Sequence, residues 1–206
     1  MYDANEKAAY ELFGDGKPPK TTRDKLVYRA MDLFFSYGYH AVGIDRIIAD
    51  VGVTKTTFYN HFDSKDDLII ETIRLRDQWE SEVFHRRLLE RSVGDPRSMI
   101  LGYFEVLDEY FNDDEFTGCQ FLNACAEFPS PQDPVHQEAA KHYINSESFL
   151  RAAADRLGVD DPDDLARQII ILIEGALTRR LVTGDNAAAM AARDIAILLI
   201  DRVPRS

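Results

Sequence analysis

A chain of 206 residues, 45% hydrophobic and 29% charged, suits one or two compact domains with a substantial core. It has no run of eighteen apolar residues to span a membrane, and its acidic start, MYDANEKAAYELFG, lacks the apolar segment of a secretory signal, so a cytoplasmic location is expected. The net charge of −12 argues against a nucleic-acid partner only if the charge is spread evenly.

Residues 1–20 begin polar and end in GDGKPPK, where the Gly and Pro cluster signals a linker, so this stretch reads as an N-terminal arm, docked or mobile. A first helix is expected from a Thr21 or Thr22 cap, with Leu26, Ala30, Leu33 and Phe34 on its buried side and an end at Tyr37-Gly38. Ile44, Ile47 and Ile48 then give one apolar helix face, and Val51-Gly52 should stop that helix in a tight turn. Val53 can plug the core beneath the turn. Thr54 is placed to cap a second short helix that opens with Lys55-Thr56-Thr57. Phe58 and Phe62 face inward, and the opposite face carries Lys55, Thr57, Tyr59, Asn60 and His61. Two short helices in this order form a helix-turn-helix whose second member offers donors and a cation outward, as entry into a DNA major groove requires.

The charge distribution agrees. Residues 17–65 carry eight Lys/Arg against five Asp, a balance of +3, while residues 66–206 carry 15 basic and 27 acidic side chains, a balance of −12. A modestly basic head on an acidic body fits a DNA-binding module attached to a separate regulatory domain.

Downstream, Ser64 should cap a long helix with Asp66 and Asp67 in its first turn, running through Leu68, Ile69, Ile73, Trp79 and Val83 to about Leu89. Gly94-Asp95-Pro96 breaks the chain and opens a helix bearing Met99, Ile100, Tyr103, Phe104, Leu107, Tyr110 and Phe111. In residues 118–128, Cys119, Asn123 and Glu127 share one helical face, and Phe121, Cys125 and Phe128 another. The two cysteines lack further ligands at metal-binding spacing and read as reduced thiols, so neither a metal nor a cofactor is expected. Helices are further expected over 135–157, from Asp161-Pro162 through Leu181, and over 187–203. With no credible strand or internal repeat, the chain reads as all-α.

The block Tyr37-Gly38-Tyr39, Ile47, Gly52-Val53-Thr54-Lys55, Phe58-Tyr59-Asn60-His61-Phe62, Ser64-Lys65 and Leu68 resembles the DNA-binding region of the TetR family of transcriptional regulators. The resemblance covers roughly residues 21–70. It implies an N-terminal three-helix DNA-binding domain over 21–66 and a C-terminal helical ligand-binding and dimerisation domain over 67–206. It also implies that Thr54, Lys55, Thr57, Tyr59, Asn60, His61 and Lys65 touch DNA. Two positions depart from the family pattern: Gly43 stands where a capping Ser or Thr is frequent, and Thr56 where a smaller residue is common.

For the body the resemblance implies a ligand cavity. Glu127 and Asn123 on one face, and Glu174 within the apolar IILIEGAL, are costly to bury unpaired. They either hydrogen-bond neighbouring helices or, with Trp79, Tyr103, Phe104 and Leu107, hold a mainly apolar, neutral or cationic molecule. The aromatic density of 99–128 has the plain alternative of helical core. The expected protein is a homodimeric regulator, a repressor released from its double-stranded operator by a small molecule. Its interface would form from the stripe Leu165–Leu181 and the last helix, and helix 64–89 would carry the signal. Two rival readings are a helical enzyme and a protein-contact module. Catalysis through Cys119 with His136 or His142, or through Glu127 with Glu174, lacks any motif to fix its geometry, so no catalytic residue is expected.

Overall fold

The computed structural model describes residues 19–114 and 116–204, with only the backbone of His85. Most of the expected N-terminal arm therefore lies outside the described residues. Among those described, the regular structure is nine α-helices: α1 (Thr22–Tyr37), α2 (Ile44–Val51), α3 (Lys55–Tyr59), α4 (Lys65–Ser92), α5 (Pro96–Phe111), α6 (Gln120–Glu127), α7 (Pro134–Arg156), α8 (Pro162–Thr183) and α9 (Ala188–Arg202).

Most helix starts follow from a short oxygen-bearing side chain that accepts an otherwise unpaired amide. Thr21 Oγ1 accepts from Asp24 N at 3.1 Å, Ser64 Oγ from Asp67 N at 3.0 Å, and Asp95 Oδ2 from Ser98 N at 2.8 Å. Asp161 Oδ1 does the same for Asp164 N at 2.9 Å. Pro96 and Pro162 occupy first-turn positions, where a missing N–H costs nothing. Gly43 opens α2 without a side-chain bond, so the departure noted at that position leaves this helix start uncapped.

The chain forms two compact units, residues 19–82 with 120–140, and residues 83–119 with 141–204. The division differs from the boundary expected at 66/67. Segment 120–140, remote in sequence, packs into the head, because its apolar residues Phe121, Ala124, Phe128, Val135 and Ala139 are buried there. In the first unit Leu26, Ala30, Leu33, Phe34, Tyr39, Val42, Ile47, Phe58, Phe62, Leu68 and Ile69 are also buried. Trp79 stacks on Tyr28, with centroids 5.1 Å apart, and packs beside Met31.

The second unit buries Phe104, Leu107 and Phe111 of α5 against Leu150, Ala153 and Ala154 of α7 and Leu165, Ile169 and Ile173 of α8. Ala188, Ala189, Ala192 and Ala196 line the inner face of α9, and side chains this small let α9 approach its neighbours closely. Arg193–Glu105 and Arg97–Asp201, both 3.0 Å, tie α9 to α5. Gly102 lies on α5 where an added methyl would meet Leu88 Cδ2 at 3.3 Å.

The exposed Val93, which follows α4, has φ +47°. Left-handed backbone is costly for a β-branched residue, and at 92% exposure Val93 makes little packing to offset it. Val93→Asn is expected to stabilise the chain by about 1 kcal/mol, read as a higher urea midpoint at unchanged slope. A lower midpoint would show that Val93 carries no net strain.

Candidate nucleic-acid interface

The turn between α2 and α3 is built from a few local bonds. Gly52, at φ +76° and ψ +37°, donates its N–H to Ile48 O at 2.9 Å, and Val53 N donates to the same carbonyl at 3.0 Å. Thr54 then caps α3, accepting from Thr57 N at 3.1 Å, and the two threonine hydroxyls lie 2.9 Å apart. Phe58 is fully buried and Phe62 nearly so, with ring centroids 5.6 Å apart. Anchored by them, α3 leaves Thr54, Lys55, Thr56, Tyr59, Asn60 and His61 exposed and Thr57 half-exposed.

Several cations of the head are held by internal acceptors. Lys55 Nζ lies 3.4 Å from Asp45 Oδ1, Arg29 Nη2 2.5 Å from Asp50 Oδ2, and Arg23 Nη2 2.5 Å from Glu71 Oε2. The Lys55 and Arg29 pairs are exposed and worth at most about 1 kcal/mol each, so phosphate can displace their carboxylates, whereas the Arg23–Glu71 pair is part-buried. Lys65 differs: it is half-buried and donates to Tyr39 O at 2.6 Å. Burial lowers its pKa, against the opposing charges of Asp66 and Glu127. Its first bond therefore goes to the fold.

Three features of this surface are absent from the expected set. Arg46 stacks over Tyr37, 4.1 Å from guanidinium carbon to ring centroid, and both are exposed. Asp45 places an acceptor beside Lys55. An open cleft of about 370 Å³ joins Tyr59, Asn60 and His61 to Arg23, Glu71 and Arg74. Charge count and helical periodicity register Arg23 and Arg74 only as solvated cations; the packing of α1 against α4 makes them neighbours of α3.

The chain matches two descriptions of a single family: residues 26–72 match bacterial regulatory proteins of the tetR family, and residues 97–196 match the tetracyclin repressor-like C-terminal domain. The chain belongs to the TetR family. It is a helix-turn-helix transcriptional regulator. Among its relatives, the HTH-type transcriptional regulator YjdC of Escherichia coli is 24% identical over 174 residues, 84% of this chain and 91% of that one. TcmR of Streptomyces glaucescens, also an HTH-type transcriptional regulator, is 28% identical over 164 residues, 78% of this chain and 71% of its own. The crystal structure of a TetR-family transcriptional regulator from Streptomyces coelicolor superposes with a TM-score of 0.76 at 26% identity, covering 88% of this chain and 95% of the other.

The seven expected DNA contacts of this TetR-family regulator all lie in the first unit. The seven expected ligand contacts are divided. Trp79, Asn123 and Glu127 belong to the first unit, and Tyr103, Phe104, Leu107 and Glu174 to the second. Trp79 is occupied by Tyr28, and Phe104 and Leu107 are members of the second unit's core. Tyr103 is half-buried against Phe84, with centroids 4.2 Å apart. The half-buried Glu174 has its carboxyl pushed up by burial and by the charge of Glu147. Glu127 accepts from Tyr39 N and His40 N and so serves the head itself. No group of three or more His, Cys, Asp or Glu among the described residues is disposed to hold a metal.

Glu71 lines the cleft and accepts from Arg23 and Arg74, while Arg74 also reaches Glu138 at 3.0 Å. The Arg23 hydrogen bond, aided by that of Arg74 and opposed by burial, holds the Glu71 carboxyl below its ordinary 4.5. A carboxyl with a depressed folded pKa adds stability above its unfolded value and loses it as pH falls through the folded one. Glu71→Gln should therefore make unfolding free energy less dependent on pH below about 4.5 and leave the slope near neutrality unchanged. An identical acid limb in the variant would show that the pair adds nothing.

Proposed function

We propose that this regulator is a repressor that binds operator DNA as a homodimer in the cytoplasm and leaves it when a small molecule enters the helical body. The observation that carries the DNA half is the exposed face of α3, with Thr54, Lys55, Thr57, Tyr59, Asn60 and His61 around two buried phenylalanines. Tyr59 and Lys65 serve the phosphate backbone, while Lys55 and Thr57 meet base edges. Log affinity should fall linearly with log salt concentration. Lys55→Ala should weaken a selected operator by about 1–3 kcal/mol, more than it weakens random duplex, whereas Tyr59→Ala should weaken both alike. Titrating full-length variants onto labelled duplexes by fluorescence anisotropy checks this. Equal losses on both DNAs for Lys55→Ala would remove its base-reading role.

The dimer rests on the outer faces of α8 and α9. Leu165, Ile169, Ile173 and Ala176 of the expected stripe are buried within the unit, and Leu172 and Leu177 pack against its core, so most of that stripe is unavailable to a partner. Exposed rows at helical spacing lie instead at Ile171, Gly175, Thr178 and Val182 on α8, and at Ala191, Ile195 and Leu198 on α9. Nothing lies within 4 Å of a methyl added at Gly175, so a second helix can approach there. Paired about a two-fold axis, these rows close a four-helix interface. Leu198→Lys combined with Ile171→Glu should turn a micromolar dimer into a monomer in sedimentation, with helical content kept. A wild-type monomer at that concentration would rule the interface out.

For the ligand, the half-buried Tyr103 and Glu174 of the second unit are the proposed contacts. A half-buried carboxyl with a raised pKa among apolar side chains favours a mainly apolar molecule that is neutral or cationic.

A further inference from the structure

We propose that Glu127 is the positioning residue of the DNA-reading head: its carboxylate clasps the backbone where α1 hands over to the helix-turn-helix. Glu127 Oε1 accepts from Tyr39 N at 2.9 Å and Oε2 from His40 N at 2.6 Å, across 88 and 87 residues of sequence. One ionised group thus takes two consecutive amides, one on each oxygen, which is the strong, charge-assisted form of the bond. Gly38 adds an independent observation. Its backbone sits at φ +85°, and a methyl there would lie 3.0 Å from Glu127 Oε1, so the position suits glycine on both counts.

The clasp has a second layer. The Glu127 carbonyl can only accept, so the His40 Nε2 at 2.8 Å carries the proton and donates to it. Phe128 packs its ring 4.6 Å from His40 and edge-on to Tyr39 at 6.3 Å. On the other side, Tyr39 O accepts from Lys65 Nζ at 2.6 Å, at the first residue of α4. The dipeptide Tyr39-His40 is therefore a node at which α1, α4 and α6 meet. α2 and α3 lie between the segments that this node ties together, so its geometry sets how α3 is presented.

The inference rests on the DNA-binding reading above, and it assigns Glu127 no contact with DNA. A glutamine at 127 keeps the shape but offers a single acceptor oxygen, and turns an NH₂ toward the other amide. In the full-length chain, Glu127→Gln should bind a selected operator at least tenfold more weakly, with helical content and the salt slope of affinity unchanged. Its amide proton resonances for Tyr39 and His40 should move upfield together. Operator affinity within twofold of wild type, a changed salt slope, or unmoved resonances would each overturn the proposal. If the variant does not fold, hydrogen exchange in the wild type decides: slow exchange at Tyr39 and His40 supports the clasp, and exchange at loop rates overturns it. A wild type that binds no duplex at any salt concentration would instead overturn the DNA-binding reading, a result separable from the amide readouts.

Discussion

The head of this protein depends on a backbone problem solved from a distance. Where α1 ends, Gly38 N still closes on Phe34 O at 2.9 Å, but the next two amides turn outward to a carboxylate of α6. Backbone donors near a core must find acceptors. Taking the acceptor from segment 120–140 satisfies both amides within the turn at residues 39–41 that joins α1 to α2. It also makes that segment part of the head, as its buried Phe121, Phe128 and Val135 require.

The surface that meets DNA is only weakly basic, and this has a physical consequence. Arg23, Arg29 and Lys55 each face a carboxylate within the head, so in the free protein these cations are largely balanced. The exposed pairs of Arg29 and Lys55 exchange partners at little cost, and phosphate oxygens can take the place of Asp50 or Asp45, whereas the Arg23–Glu71 pair is part-buried. Binding then releases cations to DNA only when shape complementarity brings phosphates close. This favours discrimination over tight attachment to any duplex.

The second unit uses α9 in two ways. Its alanine face lies close against its neighbours within the unit, while Ile195 and Leu198 point outward at the complementary spacing. Because α9 is only 15 residues long, the two functions share the same turns. A change that repacks its inner face must therefore alter its outer one, which offers a direct coupling between the core of the unit and its proposed partner.

Sequence alone determined the elements, because the signals for them are local. Thr21 and Ser64 announced their helices by side-chain chemistry acting three residues away, Pro96 and Pro162 announced theirs as first-turn residues, and Gly52 announced the turn by its tolerance of left-handed backbone. The motif Gly52-Val53-Thr54-Lys55 with Phe58 and Phe62 was equally legible, since one short stretch holds both its capping and its buried residues. Periodicity showed that Asn123 and Glu127 share a polar face, but gave no sign of what that face meets; the ligand assignment of Glu127 came from this gap. It gave Leu165–Leu181 as one wide apolar stripe, where packing divides the helix into an inward row and an outward row. Lys65 read as a surface cation until the Tyr39 carbonyl came within its reach. Those outcomes belong to tertiary structure alone, because each depends on a partner dozens of residues away that spacing along the chain cannot specify.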